Sequence, residues 1–124
     1  MKAGDVFCAY LSPNEPKHHF WVVVLAVTAD DKAILANITS HSFDHTLYIT
    51  SAEYEELTQD KSYLNYPKSR VETITSLKEK LRKKEIFSKK PVSAGVLTQI
   101  QEGLLRSKHT PRDIKYLFRT NHKK

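Results

Sequence analysis

Two apolar runs separated by only a few polar residues constrain this chain more than any other feature. His19 to Val27 is dense in Val, Phe and Trp. Asp30 and Asp31 then supply a turn, after which Ala33, Leu35 and Asn37 alternate with Ile34, Ala36 and Ile38 before Thr39. β-Branched and aromatic residues at this density favour strands, and a run that is apolar on both parities belongs to a strand buried on both faces. The spacing predicts a hairpin with nearly continuous hydrophobicity in both arms. Further strands are predicted at Val6 to Leu11, Thr46 to Thr50 and Tyr63 to Thr73, the last with Tyr63, Val71 and Ile74 as core contacts. The first of these ends at Ser12, Pro13, Asn14, Glu15 and Pro16, where two prolines forbid continuation of a ladder. Short strands with short connections predict a small barrel or curled sheet of about five strands.

Helical signals take over later. Ser51 is placed to cap a short helix through Leu57, with Glu53, Glu55 and Glu56 near the positive end of its dipole. Ser76 and Glu79 have capping-box spacing and open a helix from Leu77 to about Lys84. The clearest helix follows Pro91 and Ser93, because Val92, Val96, Ile100 and Leu104 recur every fourth residue while Leu97 and Leu105 widen the stripe. Thr110 and Pro111 read as a cap and first-turn proline before a last helix with Ile114, Leu117 and Phe118 on one face. The expected class is α+β in a single domain over residues 1–124, mainly β barrel in 1–75 and helical in 76–120.

Composition removes several function classes. At 124 residues, 40% hydrophobic and 27% charged, the chain has the make-up of one soluble globular domain. Its longest apolar run, Phe20 to Val27, is too short for a membrane-spanning helix, so no membrane partner is expected. The opening MKAGDVFCAY lacks the continuous apolar stretch of a signal peptide, which points to a cytoplasmic protein. Cys8 stands alone, leaving no disulfide and no second thiolate for a metal, and its apolar neighbours make it a small core residue. Gly4, Gly95 and Gly103 are isolated, so no phosphate-binding glycine loop or nucleophile elbow is present. His41 and His45 are spaced by four, yet they lie in a turn or strand region without a Cys or compact acidic cluster. They read as polar turn residues, and neither a metal nor a cofactor is expected.

Charge is strongly polarised. Residues 1–60 carry three basic side chains against nine acidic ones, and the remainder carries seventeen against five, which together give the net +6. Such asymmetry points to a polyanion or an acidic protein partner for the second half, while the lysine-rich run from Lys78 to Lys90 also fits a solvated helix face.

Two clusters can carry chemistry. In Asn37 to His45, hydroxyls, imidazoles and a carboxylate accumulate where a strong strand ends. In an antiparallel hairpin the start of one arm lies beside the end of the other, so His18 or His19 can approach Thr39, Ser40 and His41. An imidazole titrating near neutrality can take a proton from a ribose hydroxyl or give one to a leaving alkoxide, while hydroxyl and cationic groups stabilise a phosphorane. This is the chemistry of metal-free RNA cleavage. Thr39 and Ser40 can equally satisfy backbone groups in a turn. The second cluster is Ser62, Tyr63, Tyr66, Lys68, Ser69 and Arg70, in which rings able to stack on bases interleave with cations able to pair phosphates. An ordinary edge strand with Tyr inside and Lys outside fits the same alternation.

The pattern resembles the MazF/PemK family of toxins from type II toxin-antitoxin modules. Lys2 to Val6 at the first strand, His19 to Leu25 as the second and Ile34 to Ser40 as the third carry the resemblance, over roughly the first half of the chain. It implies a small SH3-like β-barrel decorated by short helices, here followed by carboxy-terminal helices. It also implies a homodimer, a cognate antitoxin protein as partner, and metal-independent endoribonuclease activity on single-stranded RNA. In the family an arginine before the second strand and a threonine or serine ending the third form the catalytic pair. Thr39 and Ser40 match the latter, whereas His19 and Phe20, preceded by Lys17 and His18, stand where the arginine and its proline would be. The resulting assignment makes His19 or His18 the general base or acid, Thr39 and Ser40 phosphate or oxyanion donors, and Arg70 the charge stabiliser. Lys17, His41, Tyr63, Tyr66 and Lys68 complete it as substrate-binding groups. The rival expectation is a non-catalytic SH3-like module binding RNA or protein.

Overall fold

The computed structural model of the protein describes residues 1–10, 18–57 and 59–122. The turn expected at Ser12 to Pro16, and Lys17 with it, lie outside the described residues. Six strands form one antiparallel sheet: β1 (Val6–Tyr10), β2 (His18–Val27), β3 (Lys32–Thr39), β4 (Tyr48–Thr50), β5 (Lys61–Thr73) and β6 (Phe87–Lys89), in the order β4-β5-β3-β2-β1-β6. With three helices, α1 (Ile74–Arg82), α2 (Ala94–Arg106) and α3 (Arg112–Asn121), the fold is α+β on a curled, open sheet. Among the described residues no helix is long and apolar enough to cross a membrane.

The central hairpin is β2–β3. A short 3-10 turn, Thr28–Asp30, leads to Asp31 at φ 55°, a left-handed conformation that Asp tolerates better than most residues. Asp31 also accepts hydrogen bonds from the backbone N–H groups of Ile74 and Thr75 at 3.2 and 3.0 Å, which ties the hairpin to the start of α1. Ala33 to Ile38 are all buried because the sheet is covered on both faces. On one, Val22, Ile34, Ile38, Leu64 and Tyr66 pack with Ile100, Leu104, Ile114 and Phe118 of α2 and α3. On the other, Trp21, Val23, Ala33 and Leu35 pack with Phe7, with Ile74 and Leu77 of α1, and with Ile86. Near-continuous apolar strands are what a sheet sandwiched in this way requires.

Irregular pairing shapes the rest. Leu35 pairs with Arg70 and Asn37 with Asn65, so Tyr66, Pro67, Lys68 and Ser69 stand opposite Ala36 alone. A bulge of this kind bends the strand and seats Pro67, which has no N–H for a ladder. The bend drives Tyr66 beneath α2, where its hydroxyl donates to the Ile100 carbonyl at 2.9 Å.

Several local expectations are corrected. Residues Ser51 to Leu57 form turns rather than a helix: Glu53 folds back to accept from the Thr50 N–H and hydroxyl, and Tyr54 and Leu57 are buried as anchors. The helix expected from Leu77 starts at Ile74 instead. Thr73 is its N-cap, accepting from the Ser76 N–H at 3.0 Å, and Glu79 pairs with Arg82. Pro111, not Thr110, caps α3, and the Thr110 hydroxyl is buried without a hydrogen-bond partner among the described residues. Strand β6, three residues long, lies inside the part expected to be helical. Ser93 caps α2 as expected, accepting from the Val96 N–H at 3.2 Å.

Candidate nucleic-acid interface

An open concavity follows from the unequal lengths of β3 and β5. Strand β3 ends at Thr39, paired with Tyr63, while β5 reaches two residues farther, to Lys61, and pairs there with β4. The chain from Ser40 to Leu47 must therefore arch over the end of β5. Between this arch and β5 lies an open cleft of about 740 Å³, with Ser40, His41, Ser42, Phe43 and His45 on the loop side. Lys61, Tyr63, Asn65, Pro67 and Lys68 form its β5 side.

Asp44 holds the arch in place. The residue is 2% exposed, and its carboxylate accepts from the Thr46 N–H at 2.9 Å, the Thr46 hydroxyl at 2.5 Å and the Ser107 hydroxyl at 2.6 Å. Burial opposes its ionisation, but the hydrogen bonds from Ser107 and Thr46 and the nearby His109 outweigh that effect and hold the carboxyl below its ordinary range. The Asp44 N–H donates to Ser42 Oγ at 3.1 Å, and the Ser42 hydroxyl donates to Asn65 Oδ1 at 3.3 Å. Arg106 adds a bond to the Thr46 carbonyl at 3.1 Å. Both walls are thereby fixed to each other and to the end of α2.

The lining is aromatic and cationic. His45 stacks on Tyr63 with centroids 4.7 Å apart and planes at 23°, and Tyr48 meets Tyr63 edge-on at 6.2 Å. The Lys61 ammonium lies 4.7 Å from the Tyr48 centroid and 5.6 Å from that of Tyr63. Phe43 is 72% exposed and meets the His109 ring edge-on at 4.8 Å. Exposed rings beside ammonium groups give bases a stacking surface and phosphates a counter-charge, while two imidazoles in the same cleft can exchange protons with a bound solute.

Of the residues singled out from sequence, Ser40, His41, Tyr63 and Lys68 meet in the cleft. Thr39 does not line it; its hydroxyl accepts from the His41 N–H at 3.4 Å, which is the turn role. The β2–β3 ladder ends at Phe20 and Ile38, so His19 and Thr39 sit one residue beyond the same pair. His19 is half-buried, its Nε2 is enclosed without a hydrogen-bond partner among the described residues, and it does not line the cleft. His18 is paired with Tyr10 through the backbone at the start of β2.

Tyr66 is not a stacking group: it is fully buried, and burial pushes its phenol far above the ordinary range. Arg70 lies away from the cleft, paired with Glu72 at 3.1 Å and 5.7 Å from the Trp21 ring centroid, because it pairs with Leu35, four residues along β3 from Thr39, the partner of Tyr63. Sequence reasoning passed over Lys61, Phe43 and Asn65. The alternation of Lys61, Tyr63 and Asn65 on one face of β5 was the available signal; nothing local marks Phe43. Among the described residues no group of three or more His, Cys, Asp or Glu side chains is arranged to hold a metal.

The basic run around α1 is partly neutralised. Glu79 pairs with Arg82 and Lys83, Glu72 with Lys80, and Glu55 with Lys90. Compared with known protein-family models and with curated proteins, the sequence gives no match.

Proposed function

We propose that the protein binds single-stranded RNA in this cleft and cleaves it without a metal, as a toxin of the MazF/PemK type. The observation that carries the reading is the convergence of His41, His45, Tyr63, Lys61 and Lys68 on one open surface. Rings and ammonium groups together suit unpaired bases and their phosphates better than a duplex, whose bases are already stacked. The two imidazoles supply the acid and the base. One takes the proton of a ribose 2′-hydroxyl as its oxygen attacks phosphorus, and the other protonates the 5′-oxygen as its bond to phosphorus breaks. The products are a 2′,3′-cyclic phosphate and a 5′-hydroxyl, with Lys61 or Lys68 offsetting charge on the phosphorane. In this reading the curled sheet is an SH3-like barrel, the working form is a homodimer, and an antitoxin protein holds it inactive.

A second reading, a non-catalytic RNA- or protein-binding module, is favoured by the commitment of the Thr39 hydroxyl to a turn and the enclosure of His19 Nε2. The two are separated by incubating wild-type, His41→Ala and His45→Ala protein with a long single-stranded RNA in EDTA and mapping cut ends. Chelator-resistant cuts ending in 2′,3′-cyclic phosphates, lost in either variant, are expected. Salt-sensitive binding without cuts hands the cleft to the non-catalytic reading.

A further inference from the structure

The positive charge that stays unpaired is distributed differently from the positive charge in the sequence. Among the described residues, Lys80, Arg82 and Lys83 at α1 share Glu72 and Glu79, and Lys90 pairs with Glu55, while Lys78, Lys84 and Lys89 have no ion pair. Lys61 and Lys68 in the cleft have no ion pair among the described residues, and neither do Lys108, Arg112, Lys115 and Arg119 at and along α3.

Helix α3 buries Ile114 and Phe118 against the sheet, with Leu117 half-buried beside them. Arg112, Tyr116 and Arg119 follow one another at the i, i+4 and i+7 positions and are all exposed, Tyr116 at 73%. Their Cα atoms span about 10 Å of helix. A tyrosine this exposed, between two guanidinium groups, gains nothing from the core. Its ring is free to stack on a base and its hydroxyl to hydrogen-bond, and the guanidiniums can grip phosphates bidentately. Insertion into a lipid surface does not fit, since the apolar face of α3 is already used in packing.

The two unpaired groups are joined. Phe43, part of the cleft wall, touches His109. The His109 N–H donates to Ser107 Oγ at 3.1 Å, and Ser107 is bonded to Asp44. A path of exposed rings and cations therefore leaves the cleft at Phe43, crosses Lys108 and His109, and enters the outer face of α3.

We propose that the outer face of α3 is a second RNA-contacting surface, continuous with the cleft through Phe43 and His109, along which the strand runs once it is longer than the cleft can hold. The proposal rests on the reading of the cleft as an RNA site and extends it to a length dependence. It is tested by fluorescence anisotropy with single-stranded oligouridylates of about 5 and about 20 nucleotides, bracketing the span of one small single-strand-binding domain. The proteins compared are wild type, Arg112→Glu with Arg119→Glu, Tyr116→Ala, and Lys61→Ala with Lys68→Ala, each checked for an unchanged unfolding midpoint.

The double α3 variant is expected to bind the short strand within about twofold of wild type. It should bind the long strand about tenfold more weakly, with the slope of log affinity against log salt reduced by about 1.4 for two lost phosphate contacts. Tyr116→Ala should weaken only the long strand as well, and the cleft variant should weaken both. Equal loss on both strands, or no loss on either, overturns the proposal; in the latter case an acidic protein is the partner left for this face. If wild type binds neither strand while remaining folded, the RNA reading of the cleft itself fails and the α3 proposal fails with it.

Discussion

Removing the Asp44 carboxylate should damage the protein in a way that separates the scaffold of the cleft from its lining. The carboxylate takes three hydrogen bonds, one from a Ser107 hydroxyl that is completely buried and two from a half-buried Thr46. Hydrogen bonds to a charged group contribute about 1.5 to 3 kcal/mol each, and a donor left buried without a partner bears the full desolvation cost. Water can reach Thr46 but not Ser107, so Asp44→Ala should cost about 3 kcal/mol, roughly two-thirds of it at Ser107. Asp44→Asn keeps the shape and an acceptor for Thr46. Its amide nitrogen faces Ser107 Oγ, which already accepts from the His109 N–H, and the loss should be about 1 to 2 kcal/mol.

Urea unfolding measures both, with an unchanged m-value confirming that the denatured state is the same. A pH series adds a sign. The Asp44 pKa is depressed in the folded protein below the ordinary 3.8 of an unperturbed carboxyl, so its contribution is present above that value and is lost as pH falls through the folded pKa. Wild type should therefore lose stability on acidification below about pH 4 more steeply than Asp44→Asn. On the proposed reading of the cleft as an RNA site, both folded variants should bind RNA more weakly, because the Asp44 N–H and Ser42 connect the loop wall to Asn65. An Asp44→Ala protein within about 0.5 kcal/mol of wild type, with unaltered RNA affinity, refutes the strut.

Two stability predictions follow from the packing of the helices. A Cβ at Gly103 would lie 2.2 Å from the Tyr66 hydroxyl and 2.9 Å from its Cζ, so Gly103→Ala should lose about 1 to 2 kcal/mol despite a helix-propensity gain of about 1. Adding Tyr66→Phe removes the closest contact, and urea midpoints of the double variant should show the two losses to be less than additive; strict additivity contradicts the clash. Ser93→Ala and Thr73→Ala each remove a hydroxyl that accepts from the first turn of a helix and should each cost about 1 kcal/mol by thermal unfolding. No change in either would mean that water replaces the cap.

The legible parts of the fold were those whose signal is repeated along the chain. The β2–β3 hairpin showed itself because every position from Ala33 to Ile38 must be buried, and α2 because four apolar residues recur on one stripe. The site was legible only in part, since its geometry depends on one irregularity. In an unbroken β5, residues 65 and 70 would face opposite sides of the sheet. The four residues opposite Ala36 change that parity and set Arg70 across from Leu35 and beside Trp21, still four β3 residues from Thr39, the partner of Tyr63. No local sequence rule announces such a bulge, although plain alternation does separate Tyr63, which lines the cleft with Lys61 and Asn65, from Tyr66, which lies in the core. The bond between Asp44 and Ser107 spans 63 residues and has no sequence signature at all.

Charge was misleading for a related reason. Counted along the chain, the lysines from Lys78 to Lys90 are the densest basic feature, yet Glu72 and Glu79 draw Lys80, Arg82 and Lys83 into ion pairs and Glu55 from the acidic half takes Lys90, which leaves Lys78, Lys84 and Lys89 unpaired among the described residues. These pairs are exposed and add little to stability, but they lower the local potential. Lys61, Lys68, Lys108, Arg112 and Arg119 are more thinly spread in sequence and stay unpaired among the described residues. A polyanion responds to potential at the surface rather than to the number of lysines in a segment. On the proposed reading, pairing takes Lys80, Arg82, Lys83 and Lys90 out of that potential and leaves Lys61 and Lys68 of the cleft and Arg112 and Arg119 of α3 within it, with Phe43 and Tyr116 exposed beside them.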